Sequence, residues 1–190
     1  MVIGGGRVAE RKALSLLSAG GDVKVISPSL TSRLKKERSK GNIKHISRHY
    51  RKTDLKSAFL VIAATGSHKS NSKIAEDAKD ALLNVVDTPS LCSFIVPSTI
   101  IRGPLQIAIS TSGLSPAMSK TIRKELEVLY PKSLGRYLNF LRGVREKASR
   151  EIKDKKKRQR FLKSLASPEA INALRQGFTL KKALALIKPP

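Results

Sequence analysis

Short unbroken apolar runs punctuate the first half of this chain: "MVI", "VKVI", "NIKHI", "AFLVIAAT" and "LLNVVD". Such runs mark strands buried on both faces of a parallel sheet. Between them, apolar positions recur at helical spacing. The first helix is expected over Val8–Leu17, stopped by "SAGGD" with glycine at its C-terminal end. A second begins after "SPS", which carries Ser and Pro capping signals, and a third spans roughly Ser70–Ala81. Strand and helix patterns alternating at this interval predict an α/β fold with a Rossmann-type, doubly wound parallel sheet.

The rhythm changes after Asp87. "CSFIVPSTIIRGPLQIAISTSG" holds two β-like runs separated by "RGP" with no helix between them, which predicts an antiparallel hairpin within Phe94–Thr111. A helix follows with Ser115 as N-cap, Pro116 in its first turn and Pro131 near its end. The remainder reads as helical and basic, broken near Asp154, with two short final helices starting at Ser167-Pro168 and Thr179. Three regions are expected: the parallel-sheet domain over 1–93, a small central hairpin and helix over 94–131, and an all-helical basic part over 132–190.

Composition narrows the class. An aliphatic, aromatic-poor chain (40% hydrophobic, 4% aromatic, no Trp) suits an α/β core better than a base-stacking surface. Cys92 is the only cysteine, so no intramolecular disulfide forms and a cytoplasmic location is expected. No run approaches the roughly 20 apolar residues of a membrane span, and "MVI" is too short for a signal-peptide core. The net charge is +24; residues 1–119 hold 18 basic and 8 acidic side chains, and residues 120–190 hold 20 and 6. Such a field attracts polyanions, whether nucleic acid, an anionic membrane or a polycarboxylate small molecule.

Candidate chemistry begins at Gly4, Gly6 and Ala9, which match G-x-G-x-x-[GA] between a strand and a helix. The first glycine permits a tight bend, the second admits a pyrophosphate, and the small third residue packs helix on strand. The phosphate sits at the helix N-terminus. The second strand ends in "VISPS" with no acid to read a ribose 2′-hydroxyl; Ser27 or Ser29 can donate there, while Lys24 and Arg33 point towards NADP. The sequence therefore leaves NAD and NADP open. Asp87 stands at the C-terminal end of a parallel strand, before Thr88-Pro89. It is either a base at the ligand-binding edge or the cap of a turn.

Four ordered stretches, "VIGGGRVAERKALSLLSAG", "LVIAATGSHKSN", "NVVDTPSLCSFIVPS" and "IAISTSGLSPAMSKTIRKELE", resemble the precorrin-2 dehydrogenase family, the N-terminal half of siroheme synthases. The resemblance covers residues 1 to about 150 and the helical tail only in general character. It implies NAD-dependent oxidation of precorrin-2 to sirohydrochlorin and, in bifunctional members, insertion of Fe²⁺ as a further substrate. It places the dinucleotide on Gly4, Gly6, Arg7, Val8, Pro28, Ser29 and Thr65, the general base on Asp87, and the tetrapyrrole on Ser110, Thr111, Ser112, Gly113 and Ser115. A homodimer through the central hairpin and helix is implied too. A basic cleft suits the substrate's many carboxylates, with Arg102, Lys120, Arg123 and Lys124 as candidate partners.

Departures are visible: relatives carry acids after "AAT" where this chain has "GSHKSN", and their substrate loop commonly reads Ser-Ser-Gly-Gly. Neither a methyltransferase domain nor uroporphyrinogen methylation is expected of this chain. A first strand of only "MVI" is short against the usual roughly 5–6 residues, which leads to the expectation of a late-assigned start or a truncated chain, with this strand the weakest of the sheet.

Other residues carry less. His45 and His49 are four apart, a metal-ligand spacing on a helix, but "NIKHISRHY" reads as strand and loop, so no metal site is expected. Cys92 reads as packing. The run Lys153–Phe161 supports the alternative of an NAD-responsive nucleic-acid-binding protein; scarce aromatics and the lack of a recognition-helix pattern weigh against it.

Overall fold

A computed structural model describes residues 1–177. The chain forms two compact units, Met1–Val96 and the part from Pro97 onward.

In the first unit a five-stranded parallel sheet has the order β3-β2-β1-β4-β5, built from β1 (Val2–Ile3), β2 (Val23–Ile26), β3 (Ile43–Ile46), β4 (Leu60–Ala63) and β5 (Leu82–Val85). Val2 pairs with Val25 and Ile62, and Ile3 with Ile26 and Ala63, so the two-residue β1 is held on both sides. Alternation sends these side chains to opposite faces. Val2 packs with Val25 and Ile62 against Ala9 and Ala13 of α1 (Arg7–Ser18) and Leu34 of α2 (Ser32–Ser39). Ile3 lies with Val61, Ala63 and Val85 against Ile74 of α3 (His68–Asp77), where Tyr50 and Leu55 add cover. The strand order switches at β1, with β2 and β3 added on one side and β4 and β5 on the other, all parallel. The crevice between the carboxyl ends of β1 and β4 is the ligand position of such sheets.

Two helix starts differ from expectation. The helix after "SPS" opens only at Ser32, because the Thr31 hydroxyl, not Ser27 or Ser29, accepts the Leu34 N–H. The third helix opens at His68 under a Ser67 cap, earlier than Ser70, and ends at Asp77, earlier than Ala81.

The second unit joins the hairpin and the C-terminal helices, expected above as separate regions. Antiparallel β6 (Ser98–Arg102) and β7 (Leu105–Ile109) pair in the register Ser98 to Ile109. Then come α4 (Pro116–Leu129), capped by Ser115, α5 (Lys132–Glu151), α6 (Lys155–Ser164) and α7 (Pro168–Arg175), capped by Ser167. The break near Asp154 is real: its carboxylate accepts the N–H groups of Lys156 and Lys157 and starts α6. The expected helix start at Thr179 lies outside the described residues. Among those described, no helix is long and apolar enough to cross a membrane.

Leu134, Tyr137, Ala170, Ala173 and Leu174 form the core of this unit. Tyr137 is 2% exposed and donates to the Leu165 carbonyl at 2.5 Å, bridging α5 to the end of α6. Tyr137→Phe leaves that carbonyl unpaired in an apolar site, a loss of about 1–3 kcal/mol. Thermal unfolding should show a midpoint lower by several degrees with native helix content at 25 °C.

Candidate functional site

The turn after β1 is crowded behind and open in front. Gly4 has φ +125°, and its N–H donates to the Ile26 carbonyl at 2.9 Å. A Cβ there would lie 2.2 Å from the Ala64 carbonyl oxygen, so the turn touches the end of β4 through bare backbone. At Gly5 a Cβ would fall 1.8 Å from the Ser29 oxygen and 2.5 Å from Ser27 Oγ. Gly6 differs: a Cβ would meet no heavy atom within 4 Å. Gly6 is the N-cap of α1 and offers no side chain to its first N–H groups. Those donors and the positive end of the helix dipole face the open side.

That side is a cleft of about 730 Å³ within the first unit, inside the range of small-molecule sites, roughly 300–1,000 Å³. Uncapped backbone donors, space before Gly6 and this volume fit the phosphates of a dinucleotide. One wall is the segment after β4. Buried Asn71 accepts the Thr65 N–H at 3.2 Å and its hydroxyl at 2.6 Å, fixing Thr65 in the cleft. A second wall is the loop after β3, which brings His49 and Tyr50. Arg48 stiffens this loop by donating to both oxygens of Asp54 at 2.8 and 2.6 Å, and the guanidinium holds that carboxyl below the usual carboxylate range. The Tyr50 hydroxyl donates to Asp77 at 3.2 Å. Burial and then the adjacent Asp77 charge push the phenol pKa up, so Tyr50 stays a neutral donor.

Asp87 closes the far end. It lies exposed two residues past β5, with φ +61°, and is the only carboxylate among the residues that line the cleft. A non-glycine residue in the left-handed region is uncommon, and such conformations collect at functional sites. Cys92 is half-buried and receives the Val85 N–H at 3.1 Å, tying the following turn to β5 in the packing role expected for it.

Gly4, Gly6, Arg7, Val8, Pro28, Thr65 and Asp87 thus line one cleft. Ser29 does not line it; its carbonyl packs behind Gly5, while Ser27 lines the wall instead. Lys24 and Arg33 do not line it either. Sequence reasoning passed over Tyr50, Asn71 and the cations Lys69 and Lys73. The middle glycine of "GGG", Gly5, belongs to the turn that the sequence marks for the dinucleotide. Nothing local marks Asn71 or Tyr50, because their partners lie 6 and 27 residues away. His45 sits on β3 with Nε2 2.9 Å from the Ser27 carbonyl, while His49 faces the cleft.

Residues 1–98 match a family model described as "Putative NAD(P)-binding", more than half of the chain. The chain belongs to that family. Residues 102–129 match a second model, "Sirohaem biosynthesis protein central". A siroheme synthase of Actinobacillus pleuropneumoniae is 34% identical over 190 residues, covering 99% of this chain and 39% of that protein. Another, of Nitrosococcus oceani, is 38% identical over 154 residues, covering 80% and 33%. The chain therefore spans about two fifths of the length of such relatives or less. The solved structure of SirC, a precorrin-2 dehydrogenase, superposes with a TM-score of 0.82 at 26% identity, covering 98% of this chain and 92% of that one. These relatives bring no support to the nucleic-acid alternative.

The remaining expected residues belong to the second unit of this family member. Thr111 Oγ1 accepts the Ser115 N–H at 3.0 Å and lies 3.2 Å from Ser119 Oγ; Ser110 Oγ accepts the Ser112 N–H. Ser112 and Gly113 both have positive φ, and Ser115 Oγ caps α4 through Met118 N–H. Ser110–Ser115 is thus a tight, self-bonded turn. Two candidate substrate cations are already engaged: Arg102 donates to the Tyr130 carbonyl at 2.7 Å, and Arg123 pairs with Glu127 at 2.7 Å.

Gly5 and Gly6 separate folding from binding. Gly5→Ala should lower the thermal midpoint sharply or prevent soluble expression. Gly6→Ala should leave the midpoint within about 2 °C yet weaken dinucleotide binding about tenfold or more, read by fluorescence titration with NADH.

Proposed function

We propose that this protein oxidises precorrin-2 to sirohydrochlorin with a nicotinamide dinucleotide, NAD⁺ being the oxidant that the resemblance implies. The observation that carries the reading is a lone carboxylate, Asp87, held at the C-terminal edge of the sheet in the same cleft as an uncapped, glycine-lined helix start. Bound nicotinamide supplies a hydride acceptor. The protein's own groups do the rest. The first N–H groups of α1 hold the pyrophosphate, and Gly6 leaves the room it needs. Thr65, locked by Asn71, keeps the wall beside the cofactor rigid. Asp87 takes the proton that leaves the macrocycle with the hydride, at a carboxylate oxygen open to solvent from which that proton is then released.

Ser110–Ser115 is proposed as the tetrapyrrole contact. Its ordered turn presents Ser110, Ser112 and Leu114 outward, with Leu114 90% exposed. A homodimer formed through the second unit belongs to the same reading. A two-stranded ribbon is marginal by itself, and this unit exposes Ile101 (62%) and Val128 (78%), surface that a second copy would cover.

The test is anaerobic incubation of the protein with precorrin-2 and NAD⁺ or NADP⁺, following reduced dinucleotide and sirohydrochlorin together. Asp87→Asn should lower kcat by about 10²–10⁴ with dinucleotide affinity kept, since asparagine tolerates the left-handed conformation equally well. No sirohydrochlorin with either dinucleotide rejects the dehydrogenase reading. Adding Fe²⁺ afterwards reads chelation as a rate above the spontaneous one. Light scattering on the eluted protein should return about twice the chain mass of 20.8 kDa.

A further inference from the structure

A second cavity of the first unit lies at the opposite edge of the sheet, before the amino ends of β4 and β5. Its volume of about 580 Å³ falls within the range of small-molecule sites, roughly 300–1,000 Å³. The 3₁₀ segment Lys52–Ser57 brings Lys52 and Lys56 to it, and the end of α3 with the turn into β5 brings Asp77 and Asp80. Leu55 and three alanines give it an apolar lining, and Phe59, 81% exposed, adds an aromatic ring.

The charges of this cavity balance, two cations against two carboxylates. A ligand of one sign would meet its own sign there, a cost that a zwitterion avoids. Opposite charges also stand close together: Lys52 Nζ lies 4.0 Å from Asp77. The ammonium and carboxylate of one α-amino acid therefore reach both signs at once. Lys52 is not fixed in place, because its side chain is 78% exposed and a pair of this length is weak. Lys56 and Asp80 are exposed, and neither has an ion-pair partner among the described residues.

Asp77 joins this cavity to the cofactor cleft. Its side chain is only 4% exposed. The Tyr50 hydroxyl donates to it at 3.2 Å and Lys73 reaches it at 3.3 Å, and both of these residues line the cofactor cleft. Lys52, on its other side, belongs to the second cavity. A ligand carboxylate that draws Lys52 away leaves the buried charge to Tyr50 and Lys73. An uncompensated buried charge is costly, so Lys73 is then held more firmly to Asp77 and away from an anion in the cleft.

We propose that this cavity is an effector site for a free α-amino acid with an apolar side chain, and that its occupation weakens dinucleotide binding through Asp77. The ligand's carboxylate meets Lys52 and Lys56, its ammonium meets Asp80, and its side chain lies along Leu55 and Phe59. Ligand binding in this cavity is independent of the reading of the cofactor cleft; the coupling rests on that reading.

The experiment titrates L-phenylalanine into the isotopically labelled full chain and follows backbone amide resonances by NMR. Shifts should concentrate on residues 52–59 and 77–81 and saturate below about 10 mM, an affinity suited to so small a ligand. Phenylpropionate, which lacks the ammonium, and phenethylamine, which lacks the carboxylate, should each bind about tenfold more weakly. Lys56→Gln and Asp80→Asn should each lower phenylalanine affinity about fivefold with the thermal midpoint unchanged. At saturating phenylalanine, NADH should bind about fivefold more weakly by fluorescence titration, and NADH should weaken phenylalanine by the same factor. Absence of amide shifts, shifts away from those two segments, or equal binding of the three compounds overturns the proposal and leaves the cofactor cleft standing. An NADH affinity unchanged by bound phenylalanine overturns the effector role. A chain that binds phenylalanine but never NADH rejects the reading of the cleft, and the effector role with it.

Discussion

Everything in the first unit turns on a backbone contact with no room for a side chain. Gly4 lies against the Ala64 carbonyl on one side, and Gly5 against the Ser29 carbonyl on the other. The ends of β1, β2 and β4 are thereby drawn together around one turn. The Gly4 N–H on Ile26 and the Thr31 N–H on the Gly5 carbonyl convert that proximity into hydrogen bonds. Because the rear of the turn is so tightly filled, its front stays open, and the first donors of α1 face the cleft.

The other walls are built by polar pairs that close over longer sequence distances. Asn71 satisfies Thr65, Arg48 clamps Asp54, and Asp77 accepts Tyr50, so the segments after β3 and β4 are ordered before any ligand arrives. Preorganised dipoles and charges of this kind bind a phosphate ligand without a large ordering cost. Within this basic frame, Asp87 stands alone as a carboxylate, and its left-handed backbone is the one positive-φ non-glycine position of the first unit.

Much of this was readable from local pattern. Buried parallel strands announce themselves as "VKVI" and "LVIA"; Ser115 and Ser167 announce helix starts, and Asp154 a break, because a cap needs only its own next turn. Capping failed as a guide after β2. There, Ser27 and Ser29 are used by the glycine turn, leaving Thr31 to begin α2. Ser29, which the resemblance sets on the dinucleotide, does not line the cleft, because its carbonyl packs behind Gly5, a contact no neighbour-based rule could reveal.

By itself the sequence determined the strand and helix succession, the glycine turn and the acid at the end of β5, because each depends on residues within a few positions of one another. Tertiary structure decided which groups share the cleft. Strand order β3-β2-β1-β4-β5 brings Gly6, Thr65 and Asp87 to one edge, and the long return after β3 sets Tyr50 against Asp77. It also brought the exposed Lys69 and Lys73 to the rim of the same cleft. Those outcomes arise from packing between segments tens of residues apart, where the energy of a contact depends on what already surrounds it.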